Sequence, residues 1–501
     1  MDPSSIQTKE KPIEDPNALY LEKGEIVDDV TYDAVFGEIT DEGPNYRNVG
    51  FFGTVVLMMK TQIGLGVLSI PTAFDTLGMV PGVIVLIAIS CITTWSDYMV
   101  GSFKLRHREV YGIDDAGALM FGTPGRVVLA AAFCLYWIFV AGSGILGISI
   151  GLNAVSTHGA CTAIFVAVAA ILGFACSSIR TLGKITWLAW IGLPCILIAS
   201  KFPYTCVSPV DRYYRPEVLI QAVSHLSLVL IVTIAVGVQD RPPTAPQTDG
   251  PWVADFKIIG NPTFAQAITA VSSLVFAFSG TPGFFSIVSE MRDPRKFTPA
   301  LLICQAVVTA VYITIGCVVY YYCGSYVASP ALGSAGGLIK KIAYGLSLPG
   351  LIVTTTIVTH IPAKYIFVHL LRGSKHLISN TVTHWTVWLA CTLSITVIAY
   401  IIASAIPVFD GLVSLIGALL GTMMCFQPMG CMWLYDNWHK RREGLATKQW
   451  WFMVFFSVFV VISGTFLTVA GTYGSVIGIM DSYKTEGGSA AFTCADNSGS
   501  V

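Results

Sequence analysis

Apolar residues run through this chain in long blocks separated by short polar clusters, and the blocks have the length that a bilayer dictates. A hydrocarbon core takes about 20 consecutive apolar residues of helix. By that measure residues 51–74, 80–103, 126–154, 159–178, 264–289, 299–322, 343–371, 384–405, 409–434 and 450–479 each predict a membrane-crossing helix. One further, interrupted candidate lies between 185 and 238 and brings the total to about eleven.

The polar clusters alternate in basic content, which sets orientation because cytoplasmic loops keep Lys and Arg. Lys104, Arg106 and Arg108 follow the second span, and Arg180 and Lys184 follow the fourth. Arg292, Arg295 and Lys296 follow the sixth, Arg372 and Lys375 the eighth, and Lys440, Arg441 and Arg442 the tenth. Loops 75–81, 153–159 and 406–410 carry neither Lys nor Arg. The pattern predicts a multi-pass protein with a cytoplasmic N-terminus and an extracellular C-terminus. Lys340 and Lys341, before the eighth span on the outer side, are its exception.

The interrupted candidate consists of ITWLAWIGLPCILIAS (185–200) and LSLVLIVTIAVGV (226–238), parted by a polar stretch with three prolines. Two crossings here would turn every later basic loop outward, so the charge pattern predicts one. Joining TWLAWIG to LSLVLIVTIAVGV restores a helix of ordinary length. Residues 193–225 are therefore expected to be an insertion within the fifth helix, a retained intron being one origin; the alternative is a natural helix break with an ordered loop.

Composition agrees with a bilayer as solvent. The chain has 501 residues, 54% hydrophobic and 12% charged, with mean hydropathy +0.68, where a soluble domain carries about 25% charge. A net charge of −1 without a long basic run argues against a nucleic-acid partner. The 13 cysteines, among them Cys91, Cys134, Cys176, Cys317 and Cys425, stand singly without CxxC pairs. They are expected to be small buried side chains, not a disulfide framework or a metal site. Cys161 and Cys323, both near outer helix ends, are the pair whose positions leave a bond open. No Asn-x-Ser/Thr acceptor for N-linked glycan occurs.

Three regions follow. Residues 1–49 are acidic, lack the basic-then-apolar order of a signal peptide, and predict a disordered cytoplasmic tail with a short ordered piece near 32–36. Lys9, Lys11 and Lys23 in it are open to modifying enzymes, hence to ubiquitin-dependent regulation. Residues 50–480 form the transmembrane domain, and 481–501 a short extracellular tail.

Two spans carry residues that a lipid-buried helix ordinarily avoids. The first contains KTQIGLGVLSIPTAF, with Lys60, Gly64, Gly66 and Pro71; the sixth contains FAFSGTPGFFSIVSEM, with Gly280, Pro282 and Gly283. Backbone polar groups freed by such breaks are tolerated in a membrane only where protein or a wet cavity covers them. Breaks in the first and sixth helices are the spacing of two repeats of roughly five helices, with a site between them. Half-helix N-termini suit a carboxylate and exposed carbonyls an ammonium, the two ends of an amino acid head group. Glycines also serve plain helix packing, and a single break alone would mean no more than that.

KTQIGLGVLSIPTAF resembles the first-helix motif of the amino acid/auxin permease family. FAFSGTPGFFSIVSEMRDPRKF resembles its sixth helix, and IPVFDGLVSLIGALLGTMMCFQP its ninth-to-tenth region. The likeness covers about residues 45–480, is nearest to fungal neutral amino acid permeases, and departs at 193–225. It implies an all-α polytopic membrane protein with an inverted-repeat (5+5) fold like that of the bacterial leucine transporter, plus one extra C-terminal helix. It also implies uptake of neutral aliphatic and aromatic amino acids across the plasma membrane by proton symport.

On this resemblance the substrate-binding residues are Gly64, Leu65, Gly66, Phe276, Phe278, Ser279, Gly280 and Thr281. The coupling residues are Lys60, Thr355, Thr356, Thr359 and His360. Lys60 stands where sodium-coupled relatives have an asparagine that helps bind sodium; its other reading is a lysine that snorkels to the surface. The threonines, Thr354 among them, either face the first break or bond carbonyls of their own helix. His360 is a proton shuttle or a buried histidine bonded to a neighbour. Asp97 is an intramembrane carboxylate of the kind that is functional, or a salt-bridged helix end. Glu290 beside Arg292 is expected in an inner gate network. Tyr136, Trp137 and the two phenylalanines either wall the side-chain pocket or only pack.

No HExxH, paired-aspartate or Ser-His constellation of a membrane enzyme is present, nor a channel filter or ring of charges. No catalytic group, cofactor or metal is expected. An amino acid sensor built on a transporter fold stays open as the alternative.

Overall fold

The computed structural model describes residues 49–179, 252–371, 381–485 and 491–498, together with 30–33, 37–40, 241–242, 245–246, 374 and 376. The expected fifth span, the 193–225 insertion, the basic residues Arg180, Lys184, Arg372 and Lys375, and most of the acidic tail lie outside the described residues. Near the expected ordered piece, Val30–Asp33 and Gly37–Thr40 pair as an antiparallel hairpin with Tyr32 opposite Glu38.

The first span comprises Phe51–Gln62, a short 3₁₀ stretch Leu65–Ser69 and Ile70–Leu77, bent by 45°. Met79–Arg106, Ile113–Ser156 and Thr162–Ser177 are the second to fourth. The sixth is split into Phe264–Ala277 and Thr281–Glu290. Phe297–Cys323, Gly337–Leu371, Val382–Ala405, Phe409–Arg442 and Lys448–Lys484 complete the described set. Every apolar block outside the interrupted one has become a helix. Their large side chains are buried inward and also exposed outward, as at Ile84, Ile171, Phe455 and Ile462. An exposed apolar surface of this extent belongs in lipid, not water.

The third span starts earlier than its apolar run. Its first turns are capped by Asp115, whose Oδ2 accepts the N–H of Tyr111 at 3.1 Å, and the helix kinks at Gly122, where φ is 69°. That left-handed angle is one that glycine adopts without penalty.

Packing divides the helices into two sets. Spans three, four, eight and nine pack on one another, and spans one, two, six and seven on one another, with the tenth against the sixth. Close approach needs small residues. A Cβ on Gly144 of the third span would lie 2.4 Å from Thr355 Oγ1, and one on Gly417 of the tenth 2.0 Å from the Ser272 carbonyl oxygen.

On the face without basic loops, residues 491–498 return to the helix ends. Cys494 is disulfide-bonded to Cys161, while Cys323 is a buried free thiol. The pairing left open for Cys161 is thus made with Cys494 and not with Cys323. Thr162 Oγ1 donates to the Ala495 carbonyl at 2.5 Å and Asn153 Nδ2 to Asn497 Oδ1 at 2.7 Å. Phe492 N donates to the Ser404 carbonyl at 2.9 Å. Lys340 Nζ donates to the Ser498 carbonyl at 2.6 Å, so one cation of the charge-pattern exception is covered by the tail.

Candidate functional site

The two broken spans face each other. The first half-helix ends at Gln62, with Gly64 at φ −146° and ψ −134° before the chain resumes as the 3₁₀ turn. The sixth halts at Ala277 and restarts at Thr281, with Pro282 in the first turn, where a missing N–H costs nothing. A Cβ on Gly66 would fall 2.6 Å from Ala277 Cα, and one on Gly280 would fall 2.7 Å from Gln62 Cγ and 2.9 Å from Thr61 Oγ1. Only glycine lets the two backbones lie this close.

The freed carbonyls show how a membrane tolerates the breaks. Tyr312, buried in the seventh span, points its hydroxyl at the carbonyls of Gln62 (2.7 Å) and Ala277 (2.8 Å), the last residue of each half-helix. One hydroxyl proton thus serves both ends. Tyr136 of the third span donates to the Ser279 carbonyl. Ser279 Oγ donates to the Val275 carbonyl at 2.7 Å, and Gly280 N to the Phe278 carbonyl at 2.8 Å. In the first span Thr61 Oγ1 donates to Met58 at 2.8 Å and Ser69 Oγ to Gly66 at 2.9 Å. Buried backbone groups find partners, and here they are largely side chains.

Other buried polar atoms stay without a hydrogen-bond partner among the described residues. Both Gln62 side-chain atoms do so beside Gly280, as do Thr355 Oγ1 and Thr354 Oγ1 on the eighth span and Trp137 Nε1 on the third. An unsatisfied buried polar group costs about 1–3 kcal/mol, so the Gln62 amide beside Gly280 fits a region that receives a polar ligand.

Of the expected binding residues, Leu65, Gly66, Phe276, Phe278, Ser279 and Thr281 are buried around the facing breaks, with Gly64 and Gly280 at the breaks themselves. Leu65 also lies 3.2 Å from the position of a Cβ on Gly147, which brings the third span in. Phe278 packs edge-on against Tyr312 at 5.0 Å. Tyr136 serves the sixth break directly. From the tenth span, Gly421 approaches to where a Cβ would be 2.6 Å from Ser279 Oγ.

The expected coupling residues divide. Thr355 faces Gly144, while Thr356 Oγ1 donates within its own helix to Ile352 at 2.8 Å. Thr359 is buried. Lys60 is half-buried in the last turn of the first half-helix. His360 packs edge-on against Trp388 at 4.9 Å, and Trp388 Nε1 donates to the Ser178 carbonyl at 2.9 Å, which sets His360 among spans four and nine, not at the breaks.

Asp97 is not a salt-bridged helix end. It is fully buried, accepting from Thr281 Oγ1 at 2.7 Å and from Gln305 Nε2 at 2.6 Å. Toward the basic face, Lys104 donates to the Phe285 carbonyl at 3.3 Å and to Ser289 Oγ. Val49 N donates to the Glu290 carbonyl and Arg292 N to the Val49 carbonyl, each at 3.0 Å. The sixth span is therefore tied to the start of the first around Glu290. Tyr312, Gln305 and Gln62 went unnoticed in the sequence. Their signal was a polar residue within an apolar run, which Asp97 shares.

The family described as Transmembrane amino acid transporter protein matches residues 47–477. A "Transmembrane transporter" of Fusarium pseudograminearum is 33% identical over 93% of this chain and 91% of its own length. The "N amino acid transport system protein" of Neurospora crassa is 29% identical over 98% of this chain and 99% of its own. Among solved structures, the inward-facing conformation of Mhp1 superposes with a TM-score of 0.52 over 91% of this chain and 95% of that one, at 13% identity. That likeness is one of fold and agrees with the expected inverted-repeat architecture.

Proposed function

This chain belongs to the transmembrane amino acid transporter family, and on that premise we propose that it imports neutral aliphatic and aromatic amino acids across the plasma membrane by proton symport. As a member it is a multi-pass amino acid transporter, not an enzyme. The observation that carries the finer reading is the pair of facing breaks, with the Gln62 amide beside Gly280 left without a partner among the described residues. In the N-terminal turn of Thr281–Glu290 Pro282 has no N–H and Gly283 N donates to the Gly280 carbonyl at 3.0 Å, so the Thr281 N–H is the group offered to the substrate carboxylate, and the end of Phe51–Gln62 offers carbonyls to its ammonium. Tyr136, Phe276 and Phe278 bound the space for an apolar side chain. Movement between the two faces is by alternating access, with the N-terminus cytoplasmic as the basic loops direct.

Lys60 supplies a fixed ammonium near the first break, where Thr355, Thr356 and Thr359 would otherwise help hold a metal cation, so uptake proceeds without sodium. His360 serves the proton pathway from beside the ninth span, away from the breaks.

Counterflow in proteoliposomes tests the reading. Labelled leucine or phenylalanine accumulates against unlabelled leucine, and an inward proton gradient drives net uptake in sodium-free buffer. Binding without counterflow would mean a sensor on a transporter fold.

A further inference from the structure

We infer that Asp97 is the group that takes up and releases the coupled proton; the inference rests on the symport reading above and names its proton site. Four observations converge. The carboxylate is wholly buried in the second half of a membrane helix, and among the described residues no cation bonds it. One oxygen is 2.7 Å from Thr281 Oγ1, on the first residue of the half-helix that would hold the substrate carboxylate. The other is 2.6 Å from Gln305 Nε2. Finally, both partners can also serve a carboxylic acid.

Thr281 Oγ1 donates to the anion, and a hydroxyl that rotates its proton away has lone pairs to accept one from the acid. Gln305 Oε1 is buried without a partner, and rotation of the amide brings it to the acid. A carboxylate built in only to brace helices needs neither provision. Among the described residues, the titratable groups near Asp97 from neighbouring spans are the thiols of Cys304 on the seventh and Cys425 on the tenth. On its own span Lys104 lies two turns further on, engaged with Phe285 and Ser289.

The step balances simply. A proton from the outer solution adds to an Asp97 oxygen, forming a neutral acid, and that O–H bond breaks again when the proton passes to water on the basic side. The anion sits beside the place of the substrate carboxylate and repels it; the acid does not. Proton and amino acid therefore favour each other's binding, and by linkage the effect is mutual.

The test compares the unmodified protein with Asp97→Asn, which imitates the acid, in proteoliposomes given labelled leucine. In the unmodified protein the apparent affinity falls about tenfold or more from mildly acidic to mildly alkaline buffer, a usual coupling size. In D97N the apparent leucine affinity, read from whatever counterflow remains, loses that pH dependence, and leucine no longer accumulates on a proton gradient. Gln305→Met removes the donor that the anion uses and the amide oxygen offered to the acid; the bond to the ionised form is the stronger, so the midpoint of the pH dependence moves to higher pH. Proton-driven accumulation by D97N would overturn the proposal, as would an unmoved midpoint in Q305M should D97N not fold. Absence of counterflow in the unmodified protein would instead remove the carrier reading, and this proposal with it.

Discussion

Gly66→Ala adds one methyl group where the two breaks meet. That methyl would sit 2.6 Å from Ala277 Cα, 3.1 Å from Ala277 N and 3.1 Å from Phe276 Cδ1, against 3.4 Å where ordinary contact begins. The nearest obstacle is backbone, so no rotamer change relieves it. The first and sixth spans must part by about 0.8 Å, the difference between 3.4 and 2.6 Å, and overpacking of this kind costs about 1–3 kcal/mol. If the cost falls on the state that holds substrate, affinity drops roughly 5- to 150-fold. Gly350→Ala on the eighth span is the control, because a Cβ there meets nothing within 4 Å. The assay is the leucine concentration dependence of counterflow, with reconstituted protein quantified. G66A should raise KM by the stated factor while G350A leaves it unchanged. An unaltered KM in G66A would refute the reasoning, since the breaks would then not need their close contact to bind substrate.

Gly280→Val brings its first added carbon to 2.7 Å from Gln62 Cγ and should abolish uptake at near-normal surface expression, read by surface labelling against transport. Tyr312→Phe takes the shared hydroxyl from Gln62 and Ala277; an unsatisfied buried carbonyl costs about 1–3 kcal/mol, so thermal stability in detergent and leucine affinity should both fall. Lys60→Asn should confer sodium dependence on uptake, measured as sodium-stimulated leucine entry. Reductant should lower the melting temperature of the unmodified protein but not that of Cys494→Ala, whereas Cys323→Ala keeps the response.

The spans were legible because lipid imposes a length on apolar runs, and that constraint acts locally. The breaks were legible for a related reason: glycine and proline stand out where a helix must satisfy its own backbone. What holds the breaks was not legible. Tyr312 reaches Gln62 across 250 positions, and Gln305 reaches Asp97 across 208; each is only a polar residue in an apolar run until the helices pack. Asp97 stood about two turns from the basic cluster at Lys104, which left a surface ion pair and a buried role equally open. The burial of both side chains in different contacts decides it. Cys494 was invisible as a partner, being 333 positions from Cys161.

The returning tail has a mechanical meaning. Its few residues are fastened to Cys161 and Thr162 at the fourth span, Asn153 at the third, Lys340 at the eighth and Ser404 at the ninth. It acts as a strap around the outer rim of one helix set, while Tyr312 and Asp97 lace the other set together through the breaks. On the alternating-access reading proposed above, the strapped set would be the frame and the laced set the rocker. Cutting the strap should loosen the frame at one rim only, so that face would open more readily while the opposite face keeps its latch of Val49 on Glu290 and Arg292.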